Sequence, residues 1–419
     1  MSARALYVSY DGLSDSLGAS QVVPYVVGLA RSGFQMSVIS FEKSEASREN
    51  YRHVAGALRD AGAVWWPLPY HKRPSVPATA FDIAAGTARG LAARPFDLVH
   101  ARSYVAGLIG ASVARVSDAK LLFDMRGFWA DERIEGGIWH RGELYRRAKQ
   151  VEQMLFARAD AIVSLTHAAR RELSTWPRFV DPHTRVPIVV IPTCADLAAY
   201  QRIPERERTG SLTIGYVGSF GGRYLLDETL LLFRELQKLQ PSARLSVLTH
   251  SDQSLLFAAA TRASVPRAAI EAKRVSHAEV PLHLAAMDAT VCLIKPGFAS
   301  IASCPTKLGE SLAAGCPVVV NPGIGDSAEI VRRYEAGVVW DLSADSAPAA
   351  AAGLLELLQS RTEARARAER AAKEVFSLER GVATYRALYD RLLTGSNEHV
   401  ADAFELPWPV AEKEQHGGP

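Results

Sequence analysis

Residues 288–330, DATVCLIKPGFASIASCPTKLGESLAAGCPVVVNPGIGDSAEI, decide how the chain is read. The order is apolar run, small-residue loop, short helix, apolar run, glycine loop, helix. DATVCLI and CPVVVN have the length, the Val and Ile content and the Pro or Gly endings of buried strands. KLGESLAAG between them has helical character, with Pro305 and Thr306 near its start and Gly315 at its end. A strand–helix–strand unit of this length implies parallel strands and a right-handed crossover. The loop GFASIASCPT then lies at the carboxyl end of its strand, where open α/β sheets bind ligands. Its small side chains let a ligand approach the main chain, and the amides at the helix start suit an anion. Glu310, about one turn into that helix, is placed to accept hydrogen bonds from hydroxyl groups.

Working outward, 419 residues exceed one ordinary core, so two domains are expected. The 48% hydrophobic and 22% charged fractions are globular values. A net charge of +3 with scattered Lys and Arg argues against a nucleic-acid partner. Cys194, Cys292, Cys304 and Cys316 show no metal-ligand spacing, and no metal site is expected. They fit a reduced, cytoplasmic protein. The N-terminus runs straight into a strand with no signal-peptide core, and no apolar run reaches the roughly 20 residues that span a bilayer.

ALYVSY reads as the first strand, DGLSDSLGASQ as a glycine-bearing loop, VVPYVVGLARSGF as a helix and MSVISFEK as the next strand. This is how a doubly wound domain begins. The loop lacks the three spaced glycines of a dinucleotide site. DLVHA is a strand that ends at His100 and Arg102. LLFDM runs into RGFWADER, where Arg126, Asp131, Glu132 and Arg133 cluster within eight positions. Trp65 and Trp66 suit core packing better than a cleft. The helix in ELYRRAKQVEQMLFAR is amphipathic with a basic outer face, and THAARRELSTWPRF adds arginines beside Trp176 and Phe179. Both are candidates for contact with an anionic membrane, against the commoner reading of a solvated face. PERERTG is the expected hinge. SLTIGYVGSFGGRYLLDE then restarts the strand, glycine loop, helix order, which is the strongest sign of a second α/β domain.

PTKLGESLAAGCPVVVNPGIGDSAEIV resembles the nucleotide-sugar segment of retaining glycosyltransferases of the GT-B fold, family 4 (group 1). The resemblance implies two Rossmann-like doubly wound domains facing across a cleft. The expected divisions are an acceptor-side domain over residues 1–205 and a nucleotide-sugar domain over 206–375. A helix over 376–393 would cross back to the first domain, and 394–419 would be a mobile tail. Much of the family carries two glutamates separated by seven residues. Glu310 matches the second, whereas the first falls on Ala302.

The same resemblance implies donor contacts from Gly18, Gly218, Ser219, Gly222, Arg223, Arg274, Lys295, Ser303, Thr306, Lys307 and Glu310. The usual arginine and lysine of the second glycine loop are replaced by Ser219 and Leu225, with Arg223 the nearest cation. His100 matches a family histidine, Arg102 takes the place of a second, and these join Arg126, Asp131 and Glu310 as candidate catalytic residues. Asp131 would assist deprotonation of the acceptor hydroxyl. The implied activity is a hexosyl or N-acetylhexosaminyl transfer, with retention, from a UDP- or GDP-linked sugar. The acceptor would be a glycan, lipid-linked or small-molecule hydroxyl in bacterial polysaccharide or glycoconjugate synthesis, with no obligatory metal. The implied setting is the cytoplasm or the inner face of the membrane. A nucleotide-sugar epimerase of similar fold and a non-catalytic partner subunit are the alternatives.

Overall fold

The computed structural model describes residues 2–44, 47–201, 211–396 and 398–406. Two parallel sheets organise it. The first has seven strands: β1 (Arg4–Ser9), β2 (Gln35–Glu42), β3 (Val64–Pro69), β4 (Leu98–Arg102), β5 (Lys120–Asp124), β6 (Ala161–Ser164) and β7 (Ile188–Val190). Their spatial order is β3-β2-β1-β4-β5-β6-β7. The second has six: β8 (Thr213–Val217), β9 (Arg244–Leu248), β10 (Ile270–Lys273), β11 (Ala289–Cys292), β12 (Val318–Val320) and β13 (Gly337–Val339), in the order β10-β9-β8-β11-β12-β13. Both are doubly wound, and in both the order reverses beside the first strand, between β1 and β4 and between β8 and β11. Ligands of such sheets bind outside the carboxyl ends of the strands at that reversal.

The central strands are apolar on both faces because helices cover both sides. Leu6, Val8 and Ile39 pack into one cluster of the first domain, and Ala5, Tyr7 and Val38 into the other. Trp65 and Trp66 alternate across β3 and join opposite clusters, so both pack rather than face a ligand. The stretch 288–330 forms β11, a 3₁₀ turn over Ala299–Ala302, the helix Thr306–Ala313 and β12. β11 and β12 pair in parallel from Thr290–Val318 to Cys292–Val320.

The expected boundary at 205 and the hinge PERERTG lie outside the described residues. The second crossing is visible. Ala195 N–H donates to the Phe376 carbonyl at 2.8 Å, and Leu378 N–H to the Ala195 carbonyl at 3.2 Å. The helix Leu378–Thr394 then lies on the first domain, burying Tyr385, Leu388, Tyr389 and Leu392 in its core.

One expectation needs correction. Residues 394–419 do not form a mobile tail as far as Leu406. Val400 and Ala403 enter the first domain's core, while Phe404 and Leu406 enter a second-domain cluster. Asp402 accepts from Val190 N–H at 2.8 Å and from Arg170. Apolar residues at irregular spacing give a strap no period to read, and the first-domain partners of Asp402 and Phe404 are more than 200 residues away. Asp326 precedes the helix Ser327–Tyr334 but does not cap it through its side chain. Its carboxylate accepts from His167 N–H at 2.7 Å and Ala168 N–H at 3.0 Å, the first-turn amides of a first-domain helix, His167–Ser174. It therefore caps across the domain boundary.

Phe404→Ala should cost about 3 kcal/mol in urea unfolding, the usual cost of emptying a buried phenylalanine site. A loss below about 1 kcal/mol would mean that the strap carries no load. Burial pushes the Asp326 carboxyl up to about 6, although the two amides oppose the shift. An acid raised in the folded state binds its proton more tightly there than in the unfolded chain. Its contribution is therefore present near pH 4 and lost as pH rises through 6. Asp326→Asn, which fixes the neutral form, should gain roughly 1–3 kcal/mol relative to the parent between pH 4 and 7. A difference that does not vary with pH would contradict this.

Candidate active site

The carboxyl ends of the two sheets face one another across a cavity of about 720 Å³. From the first domain it is lined by Asp11, Arg102, Arg126, Trp129, Glu132 and Arg133, among others. From the second come residues 219–224 and 303–306. The sequence-derived candidates divide into those that reach this cavity and those that do not.

Arg102 closes β4 and pairs with Asp11 from the first loop. Arg126 follows β5 in the left-handed region at φ +61°, a conformation that costs a non-glycine residue energy and is held here by tertiary contacts. Its guanidinium lies 3.6 Å from Asp124, which also accepts from Tyr385 of the C-terminal helix at 3.1 Å. Burial works to raise the Asp124 carboxyl, but Arg126, His100 and Arg102 outweigh it and hold the group below its ordinary value.

His100 does not reach the cavity. It is fully buried beneath Asp124, 3.8 Å away, with Nδ1 2.9 Å from the Tyr389 hydroxyl. Burial lowers its pKa, against the pull of Asp124. The imidazole is wedged against the C-terminal helix, off the cavity lining. The physical reason is depth along the strand: His100 shares a face with Arg102 but lies two residues short of the carboxyl end, where Tyr7, Tyr385 and Tyr389 pack around it.

Asp131 is likewise turned away. It accepts from Tyr145 at 2.7 Å and from Lys149 at 2.9 Å. Its neighbour Glu132 lines the cavity instead. On the helix Trp129–Glu135 successive residues are about 100° apart, and RGFWADER alone does not show which carboxylate faces inward.

In the second domain the loop after β8 carries Gly218 at φ +127°, Gly221 at +81° and Gly222 at +64°. These angles suit glycine and turn the main chain of Gly221 and Gly222 along the cavity. Ser219, Gly222 and Arg223 line it. Arg223 donates to Ser300 at 2.7 Å and Ser303 at 2.9 Å, and reaches Glu132 of the other domain at 3.3 Å. Ser303 and Thr306 contribute from the start of the helix Thr306–Ala313. Lys307 lies behind Tyr224, its ammonium 3.6 Å from that ring's centroid and 5.2 Å from Tyr216. Burial lowers its pKa. A side chain on Gly218 would strike this ammonium, which fixes how closely loop and helix approach.

Gly18, Arg274, Lys295 and Glu310 do not line the cavity. Gly18 is buried in a short helix, where a Cβ would fall 2.0 Å from the Gly12 carbonyl, so close packing of the first loop requires it. Arg274 and Lys295 are exposed. Glu310 is half-buried near Tyr200, whose phenol is raised by burial and by the Glu310 charge. Ala302 is buried with Ala299 in a first-domain cluster, so this turn packs against the opposite domain. Asp11, Tyr224 and Asp124 are cavity and support residues that sequence reasoning did not single out, and Glu132 was named in the polar cluster while the catalytic role was given to Asp131. The i, i+3 spacing of Glu132 and Glu135 was the available signal.

Asp124→Ala would leave Arg126 and His100 buried without their carboxylate. It should destabilise the protein by about 3–5 kcal/mol in urea unfolding, as breaking a buried pair does. A cost under about 1 kcal/mol would remove Asp124 as the centre of this network.

Comparison with known proteins places the geometry. Residues 18–194 match the family model of the glycosyl transferase 4-like domain, and residues 200–375 match that of glycosyl transferases group 1. No curated protein sequence gives a significant match. Among solved structures, sucrose-phosphate synthase from Thermosynechococcus elongatus superposes with a TM-score of 0.66 at 13% identity, covering 94% of this chain and 100% of that one. HepE from Anabaena, in complex with UDP-glucose, gives 0.63 at 14% identity, with 94% and 100% covered. A protein described as a putative UDP-N-acetylglucosamine 2-epimerase, from Listeria monocytogenes, gives 0.62 at 12%, with 96% and 99% covered. Matched in both halves, and folded as two Rossmann-like domains about one cleft, the chain belongs to the group 1 glycosyltransferases and is a glycosyltransferase of the GT-B fold.

Proposed function

We propose that the protein moves a hexosyl or N-acetylhexosaminyl group, with retention, from a UDP- or GDP-linked donor to a hydroxyl of a glycan, lipid-linked or small-molecule acceptor. The setting is bacterial polysaccharide or glycoconjugate synthesis, in the cytoplasm or at the inner face of the membrane, without an obligatory metal. The observation that carries this reading is the opposition of two half-sites. Arg223 and the Gly221–Gly222 turn stand on the second domain, and Arg102 and Arg126 on the first, around one cavity.

In this reading the diphosphate lies on the glycine turn, with its oxygens against Arg223 and the main-chain amides. As the bond from the anomeric carbon to the phosphate oxygen breaks, negative charge grows on the diphosphate. Guanidinium groups fixed in a partly dry cleft stabilise that charge more than mobile water does. The acceptor oxygen bonds to the anomeric carbon on the face the diphosphate leaves, and its proton passes to a diphosphate oxygen. Departure and attack on one face preserve the configuration. Arg126 is placed to stabilise the leaving group, Arg223 to bind it in both ground and transition states. Arg274, Lys295 and Glu310 fall outside the cavity and keep at most a peripheral part in donor binding.

The epimerase alternative draws on the Listeria neighbour and on the two cavity carboxylates Asp11 and Glu132. Both are paired with arginines, which favours the transferase.

A panel of labelled nucleotide sugars, read for acceptor-dependent release of nucleoside diphosphate, tests the reading. Arg223→Ala should raise the donor KM about tenfold or more, the value of a charge-assisted hydrogen bond. Arg126→Ala should lower kcat roughly 10²-fold with a smaller change in donor KM. Epimerisation of the donor without acceptor, or an Arg126→Ala enzyme of unchanged kcat, would overturn it.

A further inference from the structure

We propose that Glu132 and Glu135 form an internal latch, two first-domain carboxylates that hold second-domain donor groups across the cleft and yield them when a nucleoside diphosphate binds. The inference rests on the donor reading above.

Both residues project from the helix Trp129–Glu135, one turn apart on one face. Glu132 accepts from Arg223 Nη1 at 3.3 Å. The second arm of Arg223 is shared between the hydroxyls of Ser300 and Ser303, and its buried Nε has no hydrogen-bond partner. Glu135 accepts from the Ala299 N–H at 2.9 Å, in the loop that ends at Ser303. The carboxyl of Glu135 lies where a Cβ on Gly297 would be, within 2.6–2.7 Å, so glycine at 297 admits it. One helix of the first domain thus presents an anion to the glycine-loop guanidinium and another to a main-chain amide nearby. A diphosphate offers the same chemistry with more charge.

The helix belongs to the first domain because Asp131, on its other face, is held by Tyr145 and Lys149. The latch therefore crosses the cleft. It is weak enough to release. Burial raises the Glu132 carboxyl in spite of Arg223 and Arg133, so the carboxylate is not well satisfied where it lies. Arg223, a planar fork, exchanges one carboxylate for a phosphate that engages it in two-pronged fashion. Donor arrival then frees Glu132 from Arg223, and departure of the nucleotide restores the pair.

Calorimetric titration of the full chain with UDP and GDP tests this. Glu132→Gln keeps the shape and removes the competing charge, and should tighten nucleoside diphosphate binding about threefold to tenfold. Glu135→Gln should tighten it about twofold, and the double variant more than either. Arg223→Ala should weaken binding in parent and variant alike, and Glu132→Asp, with a shorter reach, should fall between parent and Glu132→Gln. Thermal midpoints confirm that each variant is folded. If the parent binds, Arg223→Ala weakens it and Glu132→Gln is unchanged or weaker, the latch is overturned and Glu132 is a brace for Arg223, with the donor reading intact. If neither parent nor glutamate variants bind any nucleoside diphosphate, the donor reading and the latch fall together.

Discussion

The buried carboxylate of Asp124 is the point on which the first half of the site depends. It stands at the end of β5 and meets three elements at once: Arg126 in the cleft, His100 on β4 and Tyr385 on the C-terminal helix. A buried acid of this kind is costly unless every neighbour answers it. Here the answers come from a strand, a strained loop and a helix that follows the whole second domain. The C-terminal helix is thus part of the site's foundation. Without Tyr385 and Tyr389 the cluster of His100, Asp124 and Arg126 would lose a wall, and with it the support for a left-handed arginine.

The second half works by main-chain geometry. Three glycines with positive φ open a turn, and a single arginine stands at its end. Lys307, buried against two tyrosines, adds positive potential from behind without exposing its ammonium to the cavity. The halves meet through Arg223 and Glu132, through Glu135 and Ala299, and through the Asp326 cap on the helix His167–Ser174. Apolar packing joins them as well: Ala299 and Ala302 are buried in a first-domain cluster, and Phe298 stacks on Phe128 at 4.8 Å between ring centroids.

Much of the fold was legible in the sequence because parallel strands are buried on both faces and read as short Val/Ile runs between glycines. The second strand–glycine loop–helix start after residue 210 marked the second domain for the same reason. The site was legible only where a residue's position on the chain fixed its direction. Ser219, Gly222 and Arg223 follow a strand at the sheet reversal, and Arg102 and Arg126 end strands, so all five reach the cavity. Asp131 and Glu132 differ by one step on a short helix, and only packing against Tyr145 and Lys149 decides between them. His100 points at a tyrosine 289 residues away, and Asp326 at amides 159 and 158 residues away. No local pattern encodes such partners. Glu310 matched a motif yet sits outside the cavity lining, half-buried near Tyr200 on the helix Thr306–Ala313.

A crystal structure of the protein grown with UDP or GDP tests the central assignment most directly. The diphosphate should lie against the amides of Gly221 and Gly222, with Arg223 within hydrogen-bond distance, and Arg126 should face it from the first domain. A nucleotide bound elsewhere, or a diphosphate out of reach of Arg223, would contradict it.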